Sequence, residues 1–226
     1  MKIALVTGTT GGIGGAFAKV LLENGYIVYA PVRDIAKGLE IFPGEENIFF
    51  DKLNLSDFTE VKTYLKKMKD GGVFFDIVFL AAGWIAFDSD FPGKDKEEKE
   101  KNAIAGLMDA NFTTKETVVT GLMEVYKGFL KGISLGIVSS QAANFSFDDY
   151  RRVDEEGYVR SQIPVSALAK KLIREGEFGK VTLEEPALVD THSAKKAFPE
   201  EKVGKNAEFK SRHAFAEEVF EKMTSN

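Results

Sequence analysis

The chain predicts an α/β fold: a single doubly wound domain over residues 1–226, with a mainly parallel sheet of about six strands and helices on both faces. Three observations carry this. Apolar, β-branched runs alternate with segments of helical period along the chain. The runs are apolar on both sides, as strands buried between two helical layers must be. The first run, Ile3 to Val6, leads directly into Thr7-Gly8-Thr9-Thr10-Gly11-Gly12-Ile13-Gly14 and then into a helical pattern through Phe17, Val20 and Leu21.

Strands are predicted at Lys2–Thr7, Tyr26–Pro31, Asn47–Phe50, Ile77–Ala81, Ser134–Ser139 and Lys180–Glu184. Helices are predicted at Ile13–Asn24, Phe58–Lys69, Lys99–Lys131 (bent or broken), Ser161–Gly176 and Ser211–Met223. The densely charged run Lys94–Lys101 reads as a solvated loop entering a helix. No linker, repeat or low-complexity segment divides the chain, and a ligand is expected at the carboxyl ends of the strands.

Composition narrows the function. The 226 residues are 44% hydrophobic and 29% charged, which describes a soluble globular protein with a real core. A net charge of -5 without a basic stripe argues against nucleic acid as a partner. With no cysteine, disulfides, thiolate metal sites and cysteine nucleophiles are excluded, and a reducing compartment, the cytoplasm, is the expected location. No apolar stretch reaches membrane length, and the N-terminus reads as a strand rather than a signal peptide. His192 and His213 lack metal-ligand spacing, so no metal site is expected.

The glycine-rich turn lies between a strand and a helix, the context of the Rossmann-type dinucleotide motif. Gly8 permits the sharp turn out of the strand. Gly12 and Gly14 let backbone approach a pyrophosphate and let the helix pack close to the sheet. The helix N-terminus, opened by Thr9, Thr10, Gly11 and Ile13, offers N–H groups to phosphates. A phosphate-binding P-loop would need Lys and Ser/Thr after the last glycine, and Gly15-Ala16 follow instead. At the end of the second strand Val32 stands where an NAD-binding site carries an acid, and Arg33 comes next. An arginine there can pair with a 2′-phosphate, which favours NADP over NAD; the alternative is a surface arginine opening the next helix. Asn54-Leu55 would flank adenine at the end of the third strand, and Ala81-Ala82-Gly83 would leave room for a ribose at the end of the fourth.

With these residues in place, the chain resembles the short-chain dehydrogenase/reductase family from residue 2 to about residue 191. Thr7–Gly14 matches both glycine spacings used in the family, that of the compact branch and that of the epimerase-like branch. Leu80-Ala81-Ala82-Gly83 resembles the family's Asn-Asn-Ala-Gly element without its asparagines. Asn111 falls where the family places a helix asparagine. Ile137-Val138-Ser139-Ser140 resembles the strand ending in the substrate-binding serine, here Ser140. Pro186-Ala187-Leu188-Val189-Asp190-Thr191 resembles the segment that holds the nicotinamide carboxamide, through Pro186, Val189 and Thr191.

The family's Tyr-x-x-x-Lys signature is matched by Tyr158-Val159-Arg160-Ser161-Gln162, with Gln162 in place of lysine. The resemblance implies that tyrosine exchanges a proton with the substrate oxygen while lysine binds the nicotinamide ribose and stabilises the tyrosinate. A tyrosine lacking that neighbour titrates near its free value of about 10. It is then protonated at neutral pH, the state that suits reduction of a carbonyl and not oxidation of an alcohol. The Gln162 amide retains hydrogen-bonding capacity for a ribose hydroxyl. Pro164 would be harmless within a first turn, so the helix is expected to begin near Ser161, with Ser161 as N-cap.

Phe145, Phe147 and Tyr150 lie in a long segment between Ser140 and Tyr158, and Trp84, Phe87 and Phe91 follow the fourth strand. Both groups read equally as substrate walls or as ordinary packing. Residues His192–Lys210 have the polar composition of a lid. No final strand ending in Asp-Gly-Gly follows, so six strands and a monomer or homodimer are expected.

The leading reading is an NADP-dependent oxidoreductase reducing a small carbonyl compound, with Tyr158 as proton donor, Ser140 holding the carbonyl oxygen, Asn111 ordering a water or the helix, and Gln162 holding the ribose. Two alternatives stand: a dinucleotide-binding sensor with little turnover, suggested by Gln162, and an epimerase-like relative, suggested by the second glycine spacing.

Overall fold

In the computed structural model, which describes residues 1–144, 156–186, 189–191, 195 and 209–225, six strands form one sheet among the described residues. The elements run β1 (Lys2–Thr7), α1 (Gly12–Glu23), β2 (Tyr26–Val32), α2 (Ile35–Ile41), β3 (Ile48–Lys52), α3 (Phe58–Asp70) and β4 (Ile77–Leu80). There follow α4 (Lys96–Met108), a π-helical turn at Asp109–Thr113, α5 (Thr114–Val125), β5 (Ser134–Val138), α6 (Glu156–Glu175), β6 (Lys180–Glu184) and α7 (Arg212–Thr224). The strand order is β3-β2-β1-β4-β5-β6, every pair parallel. The winding reverses between β1 and β4, and a parallel sheet opens a crevice at that point.

Strand alternation sends successive side chains to opposite layers. Leu5, Val78, Leu80, Leu135 and Ile137 pack under α3, α5 and α6, against Val61, Leu65, Val118, Leu122, Val165 and Leu172. Ala4, Val6, Val28, Ile77 and Phe79 face α1 and α7, against Phe17, Val20, Leu21, Phe215 and Val219. Phe17 and Phe79 stack with centroids 3.9 Å apart. The last helix is tied to the sheet by polar contacts as well: Lys222 Nζ lies 3.0 Å from the buried carboxylate of Glu184, and Ser134 Oγ donates to Met223 O at 2.9 Å.

Several sequence expectations need correction. The short helix α2 was not predicted; Asp34 caps it by accepting from Lys37 N–H. Strand β3 ends at Lys52, so Asn54 and Leu55 lie in the following loop. The helix expected at Lys99–Lys131 is broken, as anticipated, but it begins at Lys96 with Asp95 as N-cap and α5 ends at Val125. The expected start of α6 at Ser161 is wrong by more than a turn. The helix begins at Glu156, Pro164 lies inside it, and Ser161 is no cap, since its hydroxyl donates to Tyr158 O at 2.6 Å. Tertiary packing overrides the proline. Asp88 Oδ1 accepts from Gly157 N–H at 3.1 Å, and Val159 is buried ahead of Pro164 as Val165, Ala169 and Leu172 are behind it. Gly157 also admits the close crossing of α4, because a Cβ there would lie 3.1 Å from Ala103. Phe145, Phe147 and Tyr150 lie outside the described residues, as does nearly all of the expected lid. Among the described residues no helix is long and apolar enough to cross a membrane.

Phe17 is fully buried at the centre of one helical layer. Phe17→Ala is expected to destabilise the fold by about 3–5 kcal/mol, read as a lowered urea midpoint with an unchanged slope.

Candidate functional site

A cleft of about 860 Å³ opens over the carboxyl ends of β1 and β4, within the size of small-molecule and cofactor sites. Its floor is the turn between β1 and α1. Gly8 has φ +72°, a conformation costly for any residue with a Cβ, and a Cβ there would also lie 2.8 Å from the Ala81 carbonyl carbon. Gly14 brings α1 so near that a Cβ would collide with the Gly8 carbonyl. Ala82 N–H donates to Thr7 Oγ1 at 3.1 Å, which locks the two strand ends side by side. Gly11 is the N-cap of α1 and has no side chain to cap that terminus, and the terminus borders the cleft, where helix N–H groups suit an anion.

The cleft brings together almost all the residues singled out in the sequence. It is lined by Gly8, Thr10, Gly11, Gly12, Ile13 and Gly14 of the turn, and by Arg33, Asn54, Leu55, Ala81, Ala82 and Gly83. It is also lined by Asn111, Ser140, Tyr158, Gln162, Pro186, Val189 and Thr191. Thr9 is the exception: it is fully buried, outside the lining, and among the described residues its hydroxyl has no hydrogen-bond partner. Trp84 borders the cleft, half exposed, and packs against Phe91 in a tilted arrangement with ring centroids 5.3 Å apart; Phe87 and Phe91 do not line it. His213 is far from this chemistry, exposed on α7 beside Glu217 at 3.5 Å.

Asn111 sits at the π turn between α4 and α5 and is almost completely buried. Its side chain is a clamp. Oδ1 accepts from Trp84 N–H at 2.7 Å, while Nδ2 donates to Trp84 O at 3.0 Å and to Ser161 Oγ at 2.9 Å. One amide thus ties the segment after β4 to α6, next to Gln162. Gln162 is also buried, and its Oε1 lies 3.4 Å from Ser139 Oγ. Ser139 contacts Ser166 at 2.8 Å, and Ser166 donates to Glu185 at 2.5 Å. With Ser166 donating to Glu185, the single Ser139 proton goes to Ser166 or to Gln162, so this cluster of hydroxyls and a carboxylate packs against the Gln162 amide at the cleft wall. Ser140 Oγ accepts from Ala142 N–H at 3.2 Å, which orients the serine at the end of β5.

Two cations in the cleft were missed in the sequence. Lys37 lines it beside Arg33, one turn into α2. Its signal was its position four residues beyond Arg33, visible only if α2 is assigned. Lys115, on α5, is buried and donates to Ala82 O at 2.5 Å and to Asn111 O at 2.8 Å. Its signal was its i+4 spacing from Asn111, which puts both on one helical face. Burial pushes the Lys115 ammonium down to about 7.

The residues fit a dinucleotide: an open helix terminus for the pyrophosphate, two cations beside the end of β2, and small residues at the end of β4. Comparison with known proteins agrees. The family model for short chain dehydrogenases matches residues 2–202, and the chain belongs to that family. The mouse protein named retinol dehydrogenase 11 is 35% identical over 71 residues, which cover 29% of this chain and 22% of the relative. A yeast (Saccharomyces cerevisiae) NADPH-dependent 1-acyldihydroxyacetone phosphate reductase is 43% identical over 65 residues, 28% of this chain and 22% of the relative. The matches thus span less than a quarter of the length of these curated relatives. The structure of ElxO with NADP bound superposes with a TM-score of 0.81 at 19% identity, over 100% of this chain and 92% of that one, a likeness of fold.

Lys115 also makes stability depend on pH. Below about 7 both folded and unfolded chains carry its proton, and the burial penalty is present in full. Between that value and the ordinary 10.5 only the unfolded chain holds the proton, so this residue's contribution to stability rises with pH. Ligand-free melting temperatures from about pH 6.5 to 9 should climb relative to those of Lys115→Met; parallel curves would remove this assignment.

Proposed function

We propose that the chain is a single-domain, NADP-dependent reductase of a small carbonyl compound. The observation that carries this is one cleft holding a glycine turn and two cations at one end and Tyr158, Ser140, Asn111 and Gln162 at the other. The bound cofactor supplies hydride to the carbonyl carbon. Tyr158 donates the proton that the carbonyl oxygen takes up. Ser140 hydrogen-bonds that oxygen, and the Gln162 amide hydrogen-bonds the ribose. Asn111 acts by position, holding the Trp84 backbone and α6 in one geometry. Arg33 and Lys37 favour a 2′-phosphate, since Arg33 offers a bidentate fork and no acid occupies position 32. Trp84 supplies an apolar wall for the substrate.

A second reading, a dinucleotide-binding sensor with little turnover, is favoured by one observation: Gln162 occupies the signature lysine's position. The two separate by experiment. NADPH should quench or shift protein fluorescence with an affinity at least about tenfold tighter than NADH. Arg33→Ala with Lys37→Ala should erase that preference, and an NADH preference in the parent would overturn the assignment. Against a carbonyl panel, Tyr158→Phe should lower NADPH oxidation by about a hundredfold or more without loss of NADPH binding. A parent that binds NADPH but oxidises none with any carbonyl supports the sensor.

A further inference from the structure

We infer that Lys115 is the cation of this cleft's reactive end: an ammonium delivered from α5 to the bound cofactor and to the charge that develops on the substrate oxygen. The inference rests on the dinucleotide reading above and adds a residue to it.

Four observations carry it. First, Lys115 is 3% exposed yet lines the cleft, so its tip can meet solvent or a ligand only there. Second, an ammonium has three donors and no acceptor. Two are taken by Ala82 O and Asn111 O, and among the described residues the third has no protein acceptor. Third, among the described residues no carboxylate pairs with it. A buried, uncompensated ammonium is expensive to hold, and negative charge developing on a bound substrate is what offsets it. Fourth, its place is the end of β4. A Cβ built on Gly83 would lie 3.6 Å from Lys115 Nζ and 2.7 Å from Asn111 Oδ1.

The i, i+4 spacing sets Asn111 and Lys115 on one face where the π turn passes into α5, the first clamping Trp84 and Ser161, the second bonded to Ala82. The cofactor's phosphates belong to the other end of the cleft, so the charge that favours the protonated lysine is the one developing on the substrate oxygen. A positive charge held beside a developing alkoxide in a water-poor cleft stabilises the transition state more than the ground state. Gln162 has no charge to give, and among the described residues Lys115 is the lysine that lines this end of the cleft.

The test uses the whole chain and five proteins: the parent, Lys115→Gln, Lys115→Met, Gln162→Lys, and Lys115→Gln combined with Gln162→Lys. Glutamine keeps two N–H donors for the carbonyls and removes the charge, so it guards against a folding failure, which thermal melting checks directly. NADPH affinity is read by fluorescence, and kcat and KM by NADPH oxidation with the best carbonyl from the panel. Lys115→Gln is expected to weaken NADPH binding by about tenfold and to lower kcat by about a hundredfold. The combined variant is expected to recover at least about tenfold of kcat, because it returns a positive charge to the same cleft from α6. A lysine that merely satisfied two carbonyls would leave kcat and NADPH affinity unchanged in Lys115→Gln, whose amide keeps both donors; Gln162→Lys alone sets the gain that a lysine on α6 gives by itself, against which the combined variant is read. Parent-like affinity and kcat in either folded Lys115 single variant overturns the inference, as does a gain from Lys115→Gln to the combined variant no larger than that from the parent to Gln162→Lys. Absence of NADPH binding in the parent would instead overturn the dinucleotide reading, and is seen before any variant is made.

Discussion

The site depends on backbone meeting backbone at the switch point of the sheet. Gly8 turns left-handed at the end of β1, Gly14 brings α1 against the Gly8 carbonyl, and Ala81 and Ala82 of the neighbouring strand end press on the same turn. A parallel sheet puts all its strand ends on one side, so this contact decides where the crevice opens. A side chain at Gly8 or Gly14 would push α1 and the turn off the sheet and close the space in which a pyrophosphate would lie.

The other half of the cleft is organised by a defect. A regular helix from Lys96 to Val125 would satisfy its own backbone and direct few groups at the end of β4. The π turn at Asp109–Thr113 interrupts that register. The Asn111 amide then stitches the loop after β4 to α6, and Lys115 bonds across to Ala82. π turns inside helices often mark functional sites, since an irregular backbone is kept only where its surroundings compensate it. Here the compensation comes from side chains facing the cleft. The departure at Gln162 therefore reads differently in three dimensions. Its amide packs beside the Ser139–Ser166–Glu185 cluster, while a lysine, Lys115, reaches the same cleft from a different helix.

Much of the fold was legible in one dimension. Ile3–Val6, Tyr26–Ala30 and Ile77–Leu80 are continuous apolar runs, and a run buried on both faces signals itself. The glycine turn was readable because few contexts demand small residues at those spacings. Helix boundaries were not. Pro164 argued for a start near Ser161, but Asp88 and the packing of Val159 against neighbouring elements hold the extra turn. Helix α2 was missed because its seven residues present only a short stripe, and with it went Lys37.

The sequence by itself determined the sheet, its parallel sense and the location of the glycine cradle, because each is written in local periodicity and in residues without a Cβ. Tertiary structure alone decided which polar groups share the cleft. Arg33 with Lys37, and Asn111 with Lys115, Ser161 and Gln162, come together through packing of helices far apart along the chain. That packing arises from long-range burial, and no local pattern encodes it.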